Sequence, residues 1–452
     1  MDNFENKKVL VIGLARSGFA AVKLLLCLKA KITVSEAKPP EKIKELDFLK
    51  ANNVRIIQQT DEAIYEPYDL VIKNPGISGE LPFVKQLRDR NIPVITEIEL
   101  AFRVCKPQHF IAITGTNGKT TTTTLIYNVL KKAFPEKSHL SGNIGIPLCE
   151  TVLENDLLSE SGHYIVLEIS NFQLLDIVSF RPEIAVIINL AADHLDFHHT
   201  EDNYYRAKCR VYENMNADDV FLLNADDEII EEYTKKYPIK CKTCTYSIKN
   251  KADFYADEES IFGHGEEIMP LSEILVPGRH NVQNVLTAAG VADILHIDKN
   301  IFRAAVGEFH GVEHRIEFVR EIDGVKYYND SKGTNIDATI TALKAFDRPV
   351  ILIAGGYEKG LSFASLQPYL KNVKKLVTIG ACAERMESEL NVPYFRANTM
   401  DKAVQYAQSI AENGDIVLLS PTTSSFDQYK CFEDRGDDFK NLVNSLKEAL
   451  NG

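Results

Sequence analysis

The clearest indication of the fold is the stretch FIAITGTNGKT at residues 110–120. Its first five residues, Phe110–Thr114, are apolar or β-branched and predict a buried strand, and a helix is expected to begin near Thr121. A glycine-rich turn between strand and helix is typical of a phosphate-binding loop, because its backbone N–H groups and the helix N-terminus attract anions. Lys119 is expected to reach the outer phosphates of a nucleotide, and the Thr120 hydroxyl to ligate Mg²⁺. The stretch therefore predicts a nucleoside triphosphate site.

The loop is a shortened variant of the common phosphate-binding motif. Ile113 stands where G-x-x-x-x-G-K-[ST] has its first glycine, which leaves the form G-x-x-G-K-T. A plain glycine-rich turn with a solvated lysine stays the alternative, and the agreement of strand, loop and helix argues against it. The residues expected to contact the nucleotide are Gly115, Thr116, Asn117, Gly118, Lys119, Thr120 and Thr121.

Predicted strands alternate with predicted helices on both sides of the loop. Lys8–Ile12 and Tyr164–Ile169 are short apolar strands, and Val350–Ala354 belongs to a third run of the same kind. Such alternation is typical of parallel sheets covered by helices on both faces, so the predicted fold class is α/β. At roughly 150 residues per domain, the length of 452 residues suggests three domains. We predict a Rossmann-like N-terminal domain over residues 1–103, a central phosphate-loop ATPase-like domain over 104–310 and a Rossmann-like C-terminal domain over 311–452.

Three segments carry weaker patterns. Glu41–Asn52 is expected to form one helix, and residues 101–108 are expected to be a connection. Residues 240–275 are rich in charge and in β-branched side chains, which suggests a small antiparallel excursion.

Composition excludes several classes of protein. The hydrophobic share of 45% supports several cores, and the net charge of −13 argues against a broad nucleic-acid or anionic-membrane surface. No secretory signal or membrane-spanning run is visible, and the eight scattered cysteines suggest reduced thiols in a cytoplasmic protein. Cys241 and Cys244 form a lone CxxC, for which a plain loop is favoured over a zinc site because no second pair accompanies it.

A second glycine-rich turn, GLARSG at residues 13–18, joins the first strand to the first helix. It resembles a dinucleotide fingerprint, but Ala15 stands where a second glycine would let a pyrophosphate approach, which weakens a nicotinamide interpretation. Arg16 could still meet the diphosphate of a sugar nucleotide, and Ser35 and Glu36 end the next strand where a ribose or base contact is possible. A plain strand–helix turn is the structural alternative.

Candidate metal ligands follow two central strands. Glu168 ends one strand and His194 lies in the loop after the next, both at the edge where the phosphate loop begins. With the Thr120 hydroxyl, these groups suit a Mg²⁺ or Mn²⁺ ion that accompanies a nucleotide. Zinc held by His194 and His198 is the alternative, whereas His198 and His199 by themselves are typical of surface or capping residues.

Lys208 lies on a predicted helix after that loop. A lysine in such a place is usually a solvated cation. If the loop folds back toward Glu168 and His194, the amine could be held neutral and react with CO₂ to a carbamate, which binds metals through oxygen.

Several motifs together resemble those of the ATP-dependent Mur ligase family of peptidoglycan synthesis. They are GTNGKT at residues 115–120, GNIG at 142–145, LEISNFQL at 167–174 and PGRHNVQN at 277–284. The resemblance covers essentially the whole chain, and residues 167–174 are similar to the form that adds D-glutamate. It implies a cytoplasmic ligase that extends UDP-N-acetylmuramoyl-L-alanine through an acyl phosphate. It also implies ATP and two Mg²⁺ ions as cofactors, a carbamylated Lys208, closure of the domains, and a monomer.

The resemblance also implies roles for particular residues. Lys119, Glu168, His194 and Lys208 would carry the chemistry, and Thr120 would join the last three as a metal ligand. Further nucleotide contacts would come from Asn281, His314, Arg315, Asp330 and Lys332. The substrates would be bound by Ala15, Arg16, Ser35, Asn143, His194, Thr334, Lys359, Ser425 and Phe432.

Three other functions stay open at this point. A folylpolyglutamate synthase-like ligase shares the central domain, but that class begins directly with the ATP domain. A nicotinamide oxidoreductase would depend on residues 13–18, where a glycine is missing. A phosphate-loop switch would hydrolyse nucleotide without needing an amino acid.

Overall fold

The computed structural model describes residues 3–60, 62–357, 360 and 362–447, and these residues form three sheets. The first sheet is parallel and has the order β3-β2-β1-β4-β5. Its central strand is buried on both faces, since Val9, Leu10, Val11 and Ile12 are all completely inaccessible. The elements are β1 Lys8–Ile12, α1 Arg16–Cys27, β2 Lys31–Glu36, α2 Leu46–Ala51, β3 Arg55–Gln58, β4 Leu70–Lys73, α3 Pro82–Asp89, β5 Val94–Ile95 and α4 Glu97–Val104.

The second sheet has nine strands in the order β14-β13-β12-β11-β10-β9-β6-β8-β7. Strands β6 to β12 pair with one another in parallel, and β12 and β13 form an antiparallel pair. The elements up to β10 are β6 His109–Thr114, α5 Lys119–Ala133, β7 Ser138–Gly142, α6 Leu148–Glu154, β8 Tyr164–Glu168, α7 Asn171–Leu174, β9 Ile184–Ile187, α8 Leu195–His198, α9 Glu201–Cys209 and β10 Val220–Asn224. The remaining ones are α10 Glu228–Lys236, β11 Lys242–Ser247, β12 Phe254–Ala256, β13 Ser260–Gly263, β14 Glu266–Pro270, α11 Arg279–Ile294 and α12 Lys299–Gly307.

The third sheet has the order β15-β16-β20-β17-β18-β19. It is parallel except for the antiparallel pair of β15 and β16. Its elements are β15 Glu317–Ile322, β16 Val325–Asn329, α13 Ile336–Lys344, β17 Val350–Gly355, β18 Val373–Ile379, α14 Ala383–Glu389, β19 Tyr394–Asn398, α15 Met400–Ile410, β20 Ile416–Leu419 and α16 Phe432–Ser445.

The α/β prediction is confirmed, while three local predictions need correction. Residues 101–108 are not a plain connection, because α4 extends to Val104. The single helix expected over Glu41–Asn52 is shortened to α2, after a 3₁₀ turn at Pro40–Lys42. The excursion over residues 240–275 is only partly antiparallel, because β11 and β12 continue the parallel sheet.

The described residues group into two compact units. One comprises residues 1–269 and 283–305 and holds the first two sheets, and the other comprises residues 270–282 and 306–452. The domain boundaries at 103/104 and 310/311 stay predictions. All eight cysteines are free thiols. Among the described helices, none has both the length and the apolarity needed to cross a bilayer.

Within the first unit, α4 ties the first sheet to the second. The carboxylate of Glu99 is fully buried and accepts hydrogen bonds from the backbone N–H groups of Val178, Ser179 and Phe180 at 2.8–3.0 Å. The Arg103 guanidinium pairs with the same carboxylate at 2.7 Å. A buried charge is tolerated where it is paired and fully hydrogen-bonded, and these contacts explain why the two sheets pack as one unit.

Candidate active site

The phosphate loop lies between β6 and α5, as predicted. Gly118 is the N-cap of α5 and has a φ of +79°, a conformation that glycine adopts without the strain of a Cβ. An added Cβ there would lie 3.3 Å from Oδ1 of Asn284. Because α5 starts directly at Lys119, the N-terminal end of the helix faces the loop, and its partial positive charge favours an anion at this place.

A neighbouring strand end holds the loop in shape. The Asn189 side chain follows β9; it accepts a hydrogen bond from the N–H of Asn117 at 2.8 Å and donates one to the Asn117 carbonyl at 3.0 Å. The Thr116 N–H donates to the Asn189 carbonyl at 3.0 Å. Sequence analysis missed this role, although an asparagine at the carboxyl end of a strand next to the loop was a usable signal.

Two lysines converge on the loop. The Lys119 ammonium donates to the carbonyls of Gly115 and Thr116, both at 2.9 Å. Lys208 on α9 is completely buried, and its Nζ lies 2.7 Å from the same Gly115 carbonyl. Burial, reinforced by repulsion from Lys119, lowers the pKa of Lys208 well below its usual value. The structure thus brings Lys208 to the phosphate loop, in surroundings that disfavour its protonated form, which sequence spacing alone left open.

Glu168 ends β8 beside the loop and is almost completely buried. Its Oε1 accepts a hydrogen bond from the Asn143 amide at 2.6 Å. Its Oε2 is buried and has no hydrogen-bond partner within the part of the chain that the structure describes. A desolvated carboxylate oxygen without a donor is costly unless a cation meets it, so this atom fits a metal ion such as Mg²⁺.

The three histidines after β9 have different environments. His194 is about half exposed and has a φ of +50°, and its ring lies 5.0 Å from the ring of Phe172. His198 is buried rather than at the surface, and its Nε2 lies 2.6 Å from the Asn171 amide. His199 is exposed. Because His198 is already engaged by Asn171, His194 is the better placed of the two for a ligand.

The turn at residues 13–18 forms the carboxyl edge of the first sheet. The Glu36 carboxylate accepts hydrogen bonds from the backbone N–H groups of Leu14 at 2.8 Å, Ala37 at 2.9 Å and Lys38 at 3.1 Å. Ala15 is the N-cap of α1, and the Arg16 side chain donates to the Gly145 carbonyl of the second sheet's GNIG stretch.

The two serines at this edge differ in exposure. Ser17 is partly buried beside the exposed Ala15 and Arg16, whereas Ser35 is fully buried, with a hydroxyl that has no hydrogen-bond partner among the described residues. Exposed groups of residues 13–18 are therefore better placed for a ligand than Ser35 or Glu36.

The two asparagines near the start of α11 serve different neighbours. The Asn281 side chain donates to the Pro277 carbonyl at 2.6 Å. Asn284 accepts a hydrogen bond from the Thr122 hydroxyl of α5 at 2.8 Å, so it supports the helix of the phosphate loop.

In the second unit, predicted nucleotide contacts gather at the carboxyl edge of the third sheet. Asp330 follows β16; it accepts a hydrogen bond from the Ser420 hydroxyl at 2.7 Å and one from the Ile316 N–H at 3.3 Å. Burial raises the pKa of Asp330 to about 7, against the effect of these hydrogen bonds. His314 is buried, and its ring Nδ1 lies 2.9 Å from the Asn329 amide, while the next residue, Arg315, is exposed.

The same edge holds the predicted amino-acid site. The Lys332 ammonium lies 5.4 Å from the centre of the Phe432 ring, a cation–π distance. Thr334 is half-buried, and its N–H donates to the Lys332 carbonyl. The Ser425 hydroxyl is buried and has no hydrogen-bond partner among the residues described. Lys359 lies outside the described residues.

Sequence analysis missed Arg435 beside this site. Its guanidinium is buried and donates to the Ser331 hydroxyl and carbonyl and to the Thr423 carbonyl at 2.9–3.1 Å. No local pattern marks an arginine on an amphipathic helix as buried.

The fold and the phosphate loop define an α/β protein with a nucleotide-binding loop. Family models match along the chain: the Mur ligase MurD-like N-terminal domain at residues 7–96, the Mur ligase middle domain at 113–292, and the Mur ligase glutamate ligase domain at 314–423. The chain belongs to the Mur ligase family, within its MurD-type branch. This confirms the resemblance drawn from the motifs. Mur ligases are ATP-dependent, so the chain is an enzyme of that kind.

Curated relatives match over nearly the full chain. It is 41% identical to the UDP-N-acetylmuramoylalanine–D-glutamate ligase of Geobacillus sp. (strain WCH70), over 98% of this chain and 99% of the relative. Identity to the ligase of the same name from Bacillus subtilis (strain 168) is 39%, over 99% of both chains. Among solved structures, the MurF ligase from Thermotoga maritima in complex with ADP matches with a TM-score of 0.57 and 16% identity, over 97% of this chain and 96% of that one. That similarity supports the fold alone.

Proposed function

We propose that this enzyme joins D-glutamate to UDP-N-acetylmuramoyl-L-alanine with consumption of ATP, in the cytoplasmic synthesis of peptidoglycan precursors. The names of the full-length relatives support the substrates. The observation that carries the chemistry is the grouping around the phosphate loop of a buried carboxylate oxygen on Glu168 and of the buried Lys208 amine, whose pKa is lowered by burial.

The proposed reaction has two steps. The terminal carboxylate of UDP-N-acetylmuramoyl-L-alanine attacks the γ-phosphorus of ATP, which gives an acyl phosphate and ADP. The D-glutamate amine then attacks the acyl carbon, loses a proton, and expels inorganic phosphate as the amide forms. No covalent bond to the protein is required, so catalysis rests on positioning and on electrostatic stabilisation of the phosphoryl group.

The nucleotide would be held by the phosphate loop and by residues further along the chain. Lys119 would exchange its carbonyl partners for the γ-phosphoryl oxygens, and backbone N–H groups over Gly115–Thr121 would bind the other phosphates. We assign further nucleotide contacts to Asn281, His314, Arg315, Asp330 and Lys332. Since His314 is buried, its side chain would act through its contact with Asn329, and the exposed Arg315 would meet the nucleotide.

Two Mg²⁺ ions fit the donor set of Thr120, Glu168, His194 and a carbamylated Lys208. When bound, they would neutralise charge on the transferring phosphoryl group. The neutral Lys208 amine can add CO₂ and release a proton, which converts it into an anionic oxygen donor. The unpartnered Oε2 of Glu168 supplies a second such donor.

The two other substrates would be bound by separate groups of residues. Ala15 and Arg16 would contact the uridine diphosphate group, for which the fully buried Ser35 is less well placed, and Asn143 and His194 would orient the acceptor carboxylate. For D-glutamate we assign Thr334, Lys359, Ser425 and Phe432. The unpartnered Ser425 hydroxyl suits a carboxylate oxygen as acceptor.

The proposal is tested by phosphate release from ATP and Mg²⁺ with UDP-N-acetylmuramoyl-L-alanine and a panel of amino acids. Release that requires both the sugar nucleotide and D-glutamate, with L-glutamate inactive, is the expected result. Release with a folate-type acceptor, or without any amino acid, would favour the folylpolyglutamate synthase-like ligase or the phosphate-loop switch instead.

A matched pair of variants links the activity to the phosphate loop. Lys119→Met should lower kcat by about 10³-fold, the order of magnitude for losing one preorganised charge at a phosphoryl group. Lys131→Met on the same helix removes an exposed ammonium that lies over the Tyr127 ring and should leave kcat within about twofold. Equal losses in both variants would contradict the assignment of Lys119.

A further inference from the structure

A buried lysine lies beneath the carboxyl edge of the first sheet. Lys73 ends β4 and is only 2% exposed. Its Nζ donates to the Ile77 carbonyl at 2.7 Å and lies 3.4 Å from the Asn74 carbonyl. The Lys73 ammonium therefore contacts the carbonyl groups at both ends of the turn Asn74–Ile77.

The ion-pair partner of Lys73 is Asp176, which lies between the strands β8 and β9 of the second sheet. Asp176 is 6% exposed, and its Oδ2 lies 3.1 Å from the Lys73 Nζ. The Arg88 side chain of α3 donates to the other carboxylate oxygen, and the Thr96 N–H donates to the Asp176 carbonyl at 3.3 Å. Three residues from the first sheet and its connections, Lys73, Arg88 and Thr96, therefore contact Asp176.

Asp176 is connected to Glu168 by a short segment. Between them, Ser170 and Gln173 form a capping box at the start of α7, in which each side chain bonds the backbone of the other residue. The segment from Glu168 to Asp176 therefore leads from the proposed metal site to the Lys73 ammonium through a hydrogen-bonded helical turn.

The turn above Lys73 packs directly on the turn at residues 13–18. A Cβ added to Gly13 would lie 2.8 Å from Cδ1 of Ile77 and 3.3 Å from Cβ of Asn74, so a shift of one turn displaces the other. The second turn carries Arg16, whose side chain donates to the Gly145 carbonyl.

Stability alone gives a weak reason for this buried pair. Burial lowers the pKa of Lys73, and the nearby Asp176 carboxylate only partly opposes that effect. Buried ion pairs are often replaceable by apolar side chains without loss of stability, because desolvation cancels much of their attraction. What an apolar pair would not provide is the cationic donor that binds the carbonyls of the Asn74–Ile77 turn.

We propose that Lys73, paired with Asp176, is a positioning residue. It fixes the turns at residues 13–18 and 74–77, where the sugar nucleotide would bind, relative to the phosphoryl-transfer site. The inference rests on the proposed function, because it takes the carboxyl edge of the first sheet as the site of the uridine diphosphate group. Lys73 itself is buried under the turn and acts through the backbone of residues 74–77.

The test separates binding of the sugar nucleotide from binding of ATP. Lys73→Met should raise the KM for UDP-N-acetylmuramoyl-L-alanine by about tenfold or more, with the KM for ATP and the kcat at saturation within about threefold. Asp176→Asn should show the same split. A change of both KM values together, or of neither, in soluble folded variants would overturn the proposal.

Controls distinguish positioning from simple destabilisation. Lys7→Met removes an exposed ion pair with Asp69 at the opposite, amino end of the strands and should change neither KM. The double variant Lys73→Met with Asp176→Leu removes both charges. If its melting temperature returns to the wild-type value while the KM for the sugar nucleotide stays high, the role is positioning; recovery of that KM would mean that Lys73 acts through stability alone.

Direct calorimetric titration with UDP-N-acetylmuramoyl-L-alanine separates the two proposals. If the wild-type enzyme does not bind it, the proposed function fails. If wild type and Lys73→Met bind it equally well, only the inference about Lys73 fails. Should Lys73→Met not fold, Asp176→Asn, which breaks the same pair from the other side, replaces it in every comparison.

Discussion

Lys208 is a buried lysine of the phosphate site, and its surroundings disfavour the protonated amine. Lys208 is buried against Gly115, and repulsion from Lys119 adds to the effect of burial on its pKa. Since only the unprotonated amine adds CO₂, the carbamate should form more readily here than on an exposed lysine, and less readily as pH falls through the lowered pKa.

We therefore predict that activity depends on dissolved CO₂. In buffer stripped of CO₂, turnover should fall by about tenfold or more and recover when bicarbonate is added, the order expected for losing one metal ligand. The Lys208→Met variant should have low activity that bicarbonate does not change. Full activity of the wild type in CO₂-free buffer would argue that the unmodified amine suffices.

The buried carboxyl group of Glu97 predicts how the stability of the fold depends on pH. It is completely buried at the start of α4, where Oε2 accepts the Cys149 N–H of α6 at 3.0 Å and Oε1 has no hydrogen-bond partner among the described residues. Burial raises its pKa to about 7, against 4.5 for an ordinary glutamate. Between these two pH values the folded state binds a proton that the unfolded state has lost, so this residue's contribution to stability falls as pH rises and levels off above pH 7.

Glu97→Gln should remove that dependence. The melting temperature of the wild type, measured relative to the variant at each pH, is expected to fall between pH 5 and pH 8. Thermal denaturation followed by circular dichroism measures it. Parallel curves for the two proteins would show that Glu97 does not titrate in this range.

Ser425 tests the proposed amino-acid site. Because its buried hydroxyl has no partner among the described residues, Ser425→Ala leaves no donor or acceptor unsatisfied and should not lower the melting temperature. If the hydroxyl binds D-glutamate, the KM for D-glutamate should rise by about tenfold, with the KM for ATP unchanged. An unchanged KM for D-glutamate would remove Ser425 from the site.

At the scale of elements, the phosphate loop depends on a neighbouring strand as much as on its own glycines. The Asn189 amide bonds Asn117 on both its N–H and its carbonyl side. Asn189→Ala should therefore raise the KM for ATP by about 30-fold, since two hydrogen bonds of about 1 kcal/mol each are lost. Steady-state kinetics at saturating second substrates measures it, with Asn155→Ala, on the C-cap of α6, as the control.

The elements that sequence analysis identified well are those with a strong local signal. β6 and α5 were found because an apolar strand, a glycine turn and a helix follow one another without a break. β3 and α3 were not identified, since β3 is a half-buried edge strand and α3 is a short helix. α4 was missed because acidic residues such as Glu97 and Glu99 look solvated, whereas tertiary hydrogen bonds hold them in the interior.

At the scale of the whole molecule, the resemblance to the Mur ligase family implies a change of conformation when ligands bind. We predict that the domains close on the ligands, because phosphoryl transfer requires exclusion of water from the reacting groups. Small-angle scattering should show a smaller radius of gyration with ATP analogue, Mg²⁺ and sugar nucleotide than without ligands. An unchanged radius would argue against closure.

The sequence by itself determined the α/β class, the phosphate loop and the family. These properties depend on local order along the chain, such as a strand followed by GTNGKT, and on motifs with fixed spacing. The same holds for Glu168 as a candidate, because it ends an apolar strand beside the phosphate loop, whereas Ser425 was implied by the family resemblance.

Only the tertiary structure decided the environments that give these residues their chemistry. The lowered pKa of Lys208 requires burial against a carbonyl 93 residues away, and the Lys73–Asp176 pair joins residues that are distant in the chain. The unsatisfied oxygen of Glu168 is likewise a property of its surroundings. Desolvation and hydrogen bonding arise from residues distant in the chain, so no local pattern records them.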